Sequence, residues 1–215
     1  MRLGIFGGSF DPVHLGHLLL AEACREGACL DRVLFVPAAL APHKAAGTFA
    51  SAQHRLAMLA LAVAGNDGFA VSTVETDRGG VSYTVDTLAA LHREHPSAAL
   101  HLILGPDSLE QFPTWRDPAA ILSLARLVAV ERTGLDDVAA ICARAGIESL
   151  LGAAGVRAVI DGRVSVPAIG MRSTEIRARR AAGLGIRYRV PAAVERYVVT
   201  HGLYRGSVAG THAPG

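Results

Sequence analysis

Several features are scarce in this 215-residue chain, and each shortage argues against a class of protein. Aromatic residues make up 5% of the chain, and the formal net charge is only +2 with histidine neutral. A charge so close to balance does not indicate a nucleic-acid or membrane partner. The three cysteines, Cys24, Cys29 and Cys142, form no CxxC pair. This pattern favours reduced thiols in the cytoplasm over a disulfide framework.

Long hydrophobic runs are also missing. The few apolar residues before Asp11 are too short for a signal peptide, and no window approaches the length of a membrane span. Hydrophobic residues still account for 51% of the chain, which is enough for one sizeable core. We therefore predict a single domain over residues 1–204, followed by a flexible tail at residues 205–215.

Short aliphatic runs alternate with longer stretches at helical spacing, which is typical of an α/β protein with a mostly parallel sheet. Strands are predicted at residues 3–6, 32–37, 69–75, 100–105, 126–132 and 156–161. Helices are predicted at residues 15–27, 51–65, 82–95, 136–146, 173–183 and 191–201. Two long connections, Pro37 to Ala50 and Pro106 to Asp117, are where we expect ligand contacts.

The first strand runs directly into "GGSFDPVHLGH", residues 7–17. At the carboxyl end of a parallel strand, such a turn lets a phosphate approach backbone N–H groups at a helix N-terminus. The stretch is neither GxGxxG nor GxxxxGK[ST], which argues against a dinucleotide fingerprint and a P-loop. His14 and His17 fall on one face of the following helix and can donate hydrogen bonds to phosphoryl oxygens. The alternatives are an incidental pair and a zinc site, although HExxH is absent and no third ligand is suitably spaced.

A second basic motif, "MRSTEIRARR", occupies residues 171–180. Ser173 and Thr174 suit a helix start that faces an anion, and Arg177 can donate a forked pair of hydrogen bonds to phosphate oxygens. By itself the segment is a capped basic helix, whose Arg179 and Arg180 are best explained as a solvated face. Together with the first loop, it predicts a site that holds a polyphosphate.

The two motifs resemble those of a known superfamily. "GGSFDPVHLGH" resembles the HxGH loop of the nucleotidyltransferases through His14, Gly16 and His17, and "STEIR" resembles their second motif. The segments "APHK", "GGVSYTVDTL", "LGPDSLEQFPTW" and "VPAAVERYVVTHGLY" narrow this resemblance to the bacterial nicotinate mononucleotide adenylyltransferases, from residue 1 to about residue 204. The resemblance implies a Rossmann-like three-layer fold with a small C-terminal helical part. It also implies transfer of AMP from ATP to nicotinate mononucleotide, giving deamido-NAD and pyrophosphate in NAD biosynthesis.

The resemblance further implies roles for individual residues. The implied catalytic residues are His14, His17 and Arg177. The implied ATP-binding residues are Gly7, Gly8, Ser9, Phe10, His14, Gly16, His17, Gly105, Asp107, Ser173, Thr174 and Arg177. The implied nicotinate mononucleotide-binding residues are Asp11, Lys44, Tyr83, Thr84, Trp115 and Arg132. Mg²⁺ is expected to enter with ATP, held mainly by phosphate oxygens, and a homodimer is one alternative for the assembly.

Some of these positions have simpler explanations. Lys44 is equally consistent with a solvated lysine, Thr84 with plain helix capping, and Trp115 with a packing anchor in place of a residue that stacks on a pyridine ring. The chain departs from the family at Ala41, Pro106 and Arg116. Because Arg116 follows Trp115 at the implied pyridine pocket, preference for the acid over the amide substrate is a separate question from reaction type.

Three rival functions compete with the adenylyltransferase. A pantetheine-phosphate or cytidylyl transferase shares both end motifs, but "SYTVDTL" and the Trp115 loop argue against it. A nucleotide sensor without turnover would keep the fold, but the complete set of His14, His17 and Arg177 argues against it. A DNA-binding role for the arginines of residues 172–189 is weakest, since they coincide with the phosphate motif and no docking module is present.

Overall fold

The computed structural model describes residues 1–40, 50–144 and 146–206. The strands are β1 (Arg2–Gly8), β2 (Arg32–Pro37), β3 (Phe69–Val71), β4 (Ala99–Leu104), β5 (Ala125–Arg132) and β6 (Val164–Val166). The helices are α1 (Leu15–Gly27), α2 (Ala52–Val63), α3 (Val74–Arg78), α4 (Thr84–Glu94), α5 (Pro106–Gln111), α6 (Pro118–Leu124), α7 (Val138–Arg144), α8 (Ile147–Asp161), α9 (Ser173–Ala181) and α10 (Ala192–Thr200). A 3₁₀ turn covers Phe112–Thr114.

The six strands form one parallel sheet in the order β3-β2-β1-β4-β5-β6. This arrangement confirms the predicted α/β class with a parallel sheet. The strand order reverses between β1 and β4, so the chain leaves these two strands toward opposite sides. A crevice therefore opens beyond their carboxyl ends, where open α/β sheets bind ligands.

Both faces of the sheet are covered, which gives three layers. Strand residues alternate between two cores: Phe6 and Ile103 pack with α1, α2 and α10, while Ile5 and Leu102 pack with α4, α6 and α8. Burial on both faces explains why the strands are almost continuously aliphatic. Among the described residues, no helix is long and apolar enough to cross a membrane.

The predicted strand at residues 156–161 is wrong. These residues form the end of α8, and the sixth strand is β6 at Val164–Val166. The run "VRAVID" is rich in β-branched residues, but its apolar side chains Val156, Val159 and Ile160 recur at helical spacing and pack together against the core. The upstream Gly152, with φ 65° and ψ 167°, interrupts α8 and weakens the helical pattern in the sequence.

Two further predictions need correction. The strand expected at residues 69–75 ends at Val71, and Val74–Arg78 form α3. The connection from Pro106 to Asp117 is mostly helical, because Pro106 stands at the start of α5, where a missing N–H costs nothing, and the 3₁₀ turn follows. Helix α1 spans the predicted residues 15–27.

Candidate active site

The first loop, residues 9–13, links β1 to α1 at the crevice, and three side chains donate hydrogen bonds to its backbone. Its carbonyl oxygens accept hydrogen bonds from Arg55 Nη1 at Ser9 (2.9 Å), from Arg177 Nη1 at Asp11 (2.7 Å) and from Ser173 Oγ at Pro12 (2.9 Å). The structure therefore brings the two predicted phosphate motifs into direct contact across about 160 residues of sequence.

His14 and His17 lie together at the start of α1. Their rings stack with centroids 3.6 Å apart, and Phe10 packs edge-on against His17 at 5.0 Å. His14 is only 6% exposed, and this burial lowers the pKa of its imidazole to about 4, so the ring is neutral at pH 7. His17 Nδ1 accepts the backbone N–H of His14 at 3.2 Å. This bond assigns the proton of a neutral His17 to Nε2, which can then donate to a ligand.

Neighbouring rings leave little room for a side chain at Gly8, the last residue of β1, and at Gly16, in the first turn of α1. A Cβ at Gly16 would lie 3.1 Å from His14 Nδ1, and a Cβ at Gly8 would lie 3.0 Å from the ring of Phe10. Gly7 instead faces open space, where its missing side chain leaves room in the crevice. The glycines of "GGSFDPVHLGH" therefore serve ring packing as well as ligand access.

A cavity of about 940 Å³ opens in front of the two histidines, and we call it the histidine cavity. Its polar lining joins α1, α5, the end of β5 and the start of α9: His14, His17, Glu22, Glu26, Asp107, Ser108, Arg132, Arg172, Ser173 and Thr174. Gly16 also lines it, and Gly105 caps α5 nearby. Six of the twelve residues predicted to bind ATP thus line one cavity: His14, Gly16, His17, Asp107, Ser173 and Thr174.

A second pocket, of about 410 Å³, is lined by Ser82, Tyr83, Thr84, Thr114, Trp115, Arg116 and Ile121, and we call it the tryptophan pocket. Arg116 Cζ lies 4.7 Å above the ring of Tyr83, and its Nη1 is 3.6 Å from Asp86 Oδ2. Tyr83 precedes the first residue of α4, so backbone N–H groups at the start of α4 face this region. Its aromatic wall and helix terminus suit a flat ring with an anionic group.

A smaller cavity of about 240 Å³ connects these two spaces. It shares Ser108 with the histidine cavity and shares Ser82, Thr84 and Trp115 with the tryptophan pocket. Its remaining wall includes Gly7 and Gly8 at the end of β1 and Ser9 of the first loop. The three spaces form one cleft along the carboxyl ends of β1 and β4.

Asp11, predicted to bind the mononucleotide, is 3% exposed. Its Oδ1 accepts hydrogen bonds from the Tyr204 hydroxyl at 2.6 Å and from the Ala50 N–H at 3.2 Å. Burial, together with this hydrogen bond, raises the pKa of Tyr204, so the phenol stays protonated and donates. Asp11 therefore ties the first loop to the C-terminal segment, and a contact with substrate stays a prediction.

Arg132, also predicted for the mononucleotide, lines the histidine cavity and not the tryptophan pocket. Its Nε and Nη2 donate to the two carboxylate oxygens of Asp136, at 2.7 and 2.9 Å. This ion pair lowers the pKa of Asp136 and orients the guanidinium. Lys44 lies outside the described residues.

Sequence reasoning missed Arg55, which is completely buried and holds Ser9. In the sequence, a lone arginine in the apolar helix "AQHRLAMLALAV" looks like a solvated residue. The only possible signal of its burial was its position on the same helix face as other buried residues. It also missed Tyr204 as the partner of Asp11, because 193 residues separate the two in sequence. Neither contact leaves a local pattern.

Comparison with known proteins identifies the family of the chain. The family model described as cytidylyltransferase-like matches residues 5–179. A probable nicotinate-nucleotide adenylyltransferase of Thermomicrobium roseum is 47% identical over 205 residues, covering 95% of this chain and 92% of that protein. A probable nicotinate-nucleotide adenylyltransferase of Thermus thermophilus is 46% identical, covering 95% of this chain and 100% of that protein.

A solved structure has the same fold. The nicotinic acid mononucleotide adenylyltransferase of Plasmodium falciparum, complexed with NaAD, matches with a TM-score of 0.69 and 16% identity, covering 94% of this chain and 97% of that one. The chain therefore belongs to the cytidylyltransferase-like family and, within it, to the nicotinate-nucleotide adenylyltransferases. The resemblance found in the sequence is confirmed.

Proposed function

We propose that this protein moves AMP from ATP to nicotinate mononucleotide, forming deamido-NAD and pyrophosphate in NAD biosynthesis. The observation that carries this proposal is the single cleft that joins the histidine cavity to the tryptophan pocket. Its two ends differ in chemistry, as required by a reaction between a polyphosphate and a ring-bearing nucleotide. The identity of the relatives, above 40% over nearly the whole chain, supports the same substrates.

The reaction needs positioning more than acid–base chemistry. A phosphate oxygen of the mononucleotide attacks the α-phosphorus of ATP, and the bond from that phosphorus to the β-phosphate oxygen breaks. The attacking phosphate is already ionised at neutral pH, so no general base or covalent enzyme intermediate is required. The protein contributes by aligning the two phosphates and stabilising the charge that develops between them.

The histidine cavity is the ATP end of the cleft in this proposal. His17 Nε2–H donates to the α-phosphate, and His14, neutral through burial, contributes a hydrogen bond but no charge. Positive charge comes from Arg177, which supports the first loop, and the N-terminus of α9 at Ser173 and Thr174 receives the leaving pyrophosphate. The backbone of Gly7, Gly8 and Ser9 faces the nucleotide at the end of β1, and Phe10 supports this backbone.

A divalent cation accompanies ATP, and we propose Mg²⁺. The described residues contain no group of three or more His, Cys, Asp or Glu side chains that could hold a metal ion by themselves. Asp107 lines the histidine cavity and can contact the cation or its waters. This donor set suits an ion that is bound chiefly by phosphate oxygens and arrives as part of the substrate.

The tryptophan pocket is the mononucleotide end. Trp115 stacks on the pyridine ring, and backbone N–H groups near Tyr83 and Thr84 receive the nicotinate carboxylate. Arg116 adds positive charge at the same pocket. We further propose a cytoplasmic location, which agrees with three cysteines that are all free.

Pyrophosphate release is the direct test. The full chain is supplied with Mg-ATP and nicotinate mononucleotide, with the amide analogue, and with pantetheine phosphate in parallel. We expect fast release with nicotinate mononucleotide and preference for it over the amide. If pyrophosphate is released with pantetheine phosphate but with neither mononucleotide, the rival transferase is favoured. If ATP binds but pyrophosphate is released in none of the mixtures, a sensor is favoured.

A further inference from the structure

A cavity of about 550 Å³ lies at the opposite edge of the sheet from the active-site cleft. It is bounded by the first residues of β1, β4 and β5 and by the ends of α1 and α8. Because β1 is seven residues long and runs from this cavity to Gly8, the two sites are separated by roughly 20 Å. The cavity shares no lining residue with the active-site cleft.

Three basic side chains meet at this cavity: Arg2, His101 and Arg126. His101 is the register partner of Arg126 in β5 and of Gly4 in β1. Strand alternation then places Arg2, two residues before Gly4, on the same face as the other two. The pKa of His101 is lowered by burial and, in addition, by the charges of both arginines, which agrees with the close approach of the three groups.

One buried polar atom of this cavity, Nε2 of His101, has no partner within the described part of the chain. His101 is 4% exposed; its Nδ1 bonds to the carbonyl of Ala99 at 3.0 Å, while its Nε2 is buried with no partner. The Arg2 and Arg126 side chains are exposed to solvent, and neither guanidinium forms a hydrogen bond or ion pair with described residues. Because His101 Nδ1 donates to the Ala99 carbonyl, Nε2 of the neutral ring is an acceptor, and a bound water or a hydroxyl group of a ligand would complete it.

We propose that this cavity is a second binding site, for a small organic oxyanion in which a carboxylate or phosphate group is attached to an apolar body. Arg2 and Arg126 would bind the oxyanion at the mouth, because both side chains line the cavity and a guanidinium group matches the geometry of a carboxylate or a phosphate. The apolar body would contact Leu122, Leu151, Ala158 and Val159. The volume lies in the range of small-molecule sites.

Calorimetric titration of the full chain tests this site. Phenyl phosphate and benzoate serve as separate probes, which distinguishes the two oxyanions, and a saturating nonhydrolysable ATP analogue with Mg²⁺ blocks the active-site cleft. We expect at least one probe to bind, and Arg126→Ala to weaken that binding roughly tenfold or more. Arg157→Ala is the matched control, since Arg157 is an exposed arginine on α8 that does not line the cavity.

Arg126→Ala could weaken binding through lost packing as well as lost charge. A second variant therefore tests the site in a different way. Ala158→Glu places a carboxylate at an exposed position of the cavity wall and should abolish binding of both probes. The proposal would be overturned if neither probe binds, if binding is unchanged in both variants, or if the ATP analogue abolishes binding. The readout is heat of binding, so the result does not depend on adenylyl transfer.

Discussion

The two ends of the candidate active-site cleft differ in how their side chains are held. At the histidine cavity, a short loop is fixed through its carbonyl oxygens by Arg55, Ser173 and Arg177, and His14 is buried beneath it. At the tryptophan pocket, Tyr83, Thr84 and Trp115 are half-buried, and the side chains of the Arg116–Asp86 pair are 59% and 43% exposed. The rigid end suits the shared phosphate chemistry, and the exposed end suits discrimination between substrates.

The largest expected effect is on turnover at the rigid end. His17→Ala removes the hydrogen-bond donor assigned to the α-phosphate and should lower kcat by about 10²- to 10³-fold. The melting temperature should change little, because His17 is only partly buried. Steady-state pyrophosphate release checks this, with the exposed His92→Ala as control; full turnover in a folded His17→Ala protein would refute the assignment.

The buried His14 predicts acid sensitivity of the same end. The folded protein binds a proton at His14 near pH 4, whereas the unfolded chain binds it near 6.5. Between these values the unfolded state holds more protons, so stability falls as pH drops from 6.5 to 4, by roughly 3 kcal/mol for this group.

Urea unfolding at several pH values measures this effect. His14→Gln should flatten the decline between pH 6.5 and 4, while the contribution of His101, whose pKa is also lowered by burial, persists in both proteins. An identical pH profile for the wild type and the variant would contradict the buried, neutral state of His14.

Trp115→Ala tests the exposed end. Loss of the stacking surface should raise the KM for nicotinate mononucleotide about tenfold and leave the KM for ATP unchanged. Trp115→Phe should restore most of the lost affinity, because an aromatic face remains. A rise in the KM for ATP of equal size would mean that the two ends are not separable.

Gly16→Ala tests the ring packing at the rigid end. The added methyl group must displace the His14 ring, which lies 3.1 Å from the ideal Cβ, so kcat should fall roughly fivefold through misalignment. Alanine favours a helix over glycine, so thermal stability should not fall in proportion. Gly185→Ala, with no atom within 4 Å of the added carbon, is the control and should retain activity.

The smallest expected effect is on selectivity at the exposed end. Arg116→Ala should reduce preference for the acid over the amide substrate about two- to fivefold, because a charge with 59% exposure is strongly screened. The ratio of kcat/KM values for the two substrates measures it, with Arg93→Ala on the surface of α4 as control. An unchanged ratio would assign the preference to the start of α4 alone.

The sequence was sufficient to predict those features whose residues lie close together in the chain. The glycine turn followed by His14 and His17 predicted helix α1 and the face that carries both rings, because helical geometry brings positions three apart together. Aliphatic runs located most of the sheet. The same logic was wrong at residues 156–161, where β-branched content suggested a strand but packing against the core at helical spacing selected the end of α8.

The family, the two phosphate motifs and most of the sheet could be read from the chain alone, because each rests on residues close together in it. Folding was needed to show which groups hold the site: Arg55 behind Ser9, Tyr204 on Asp11, Arg132 paired with Asp136, and the basic cavity at the amino ends of the strands. No periodic pattern in the sequence reveals which polar side chains are buried, which carbonyl oxygens accept hydrogen bonds, or which residues far apart in the chain form pairs. They arise when separate elements pack and each buried polar group finds its partner.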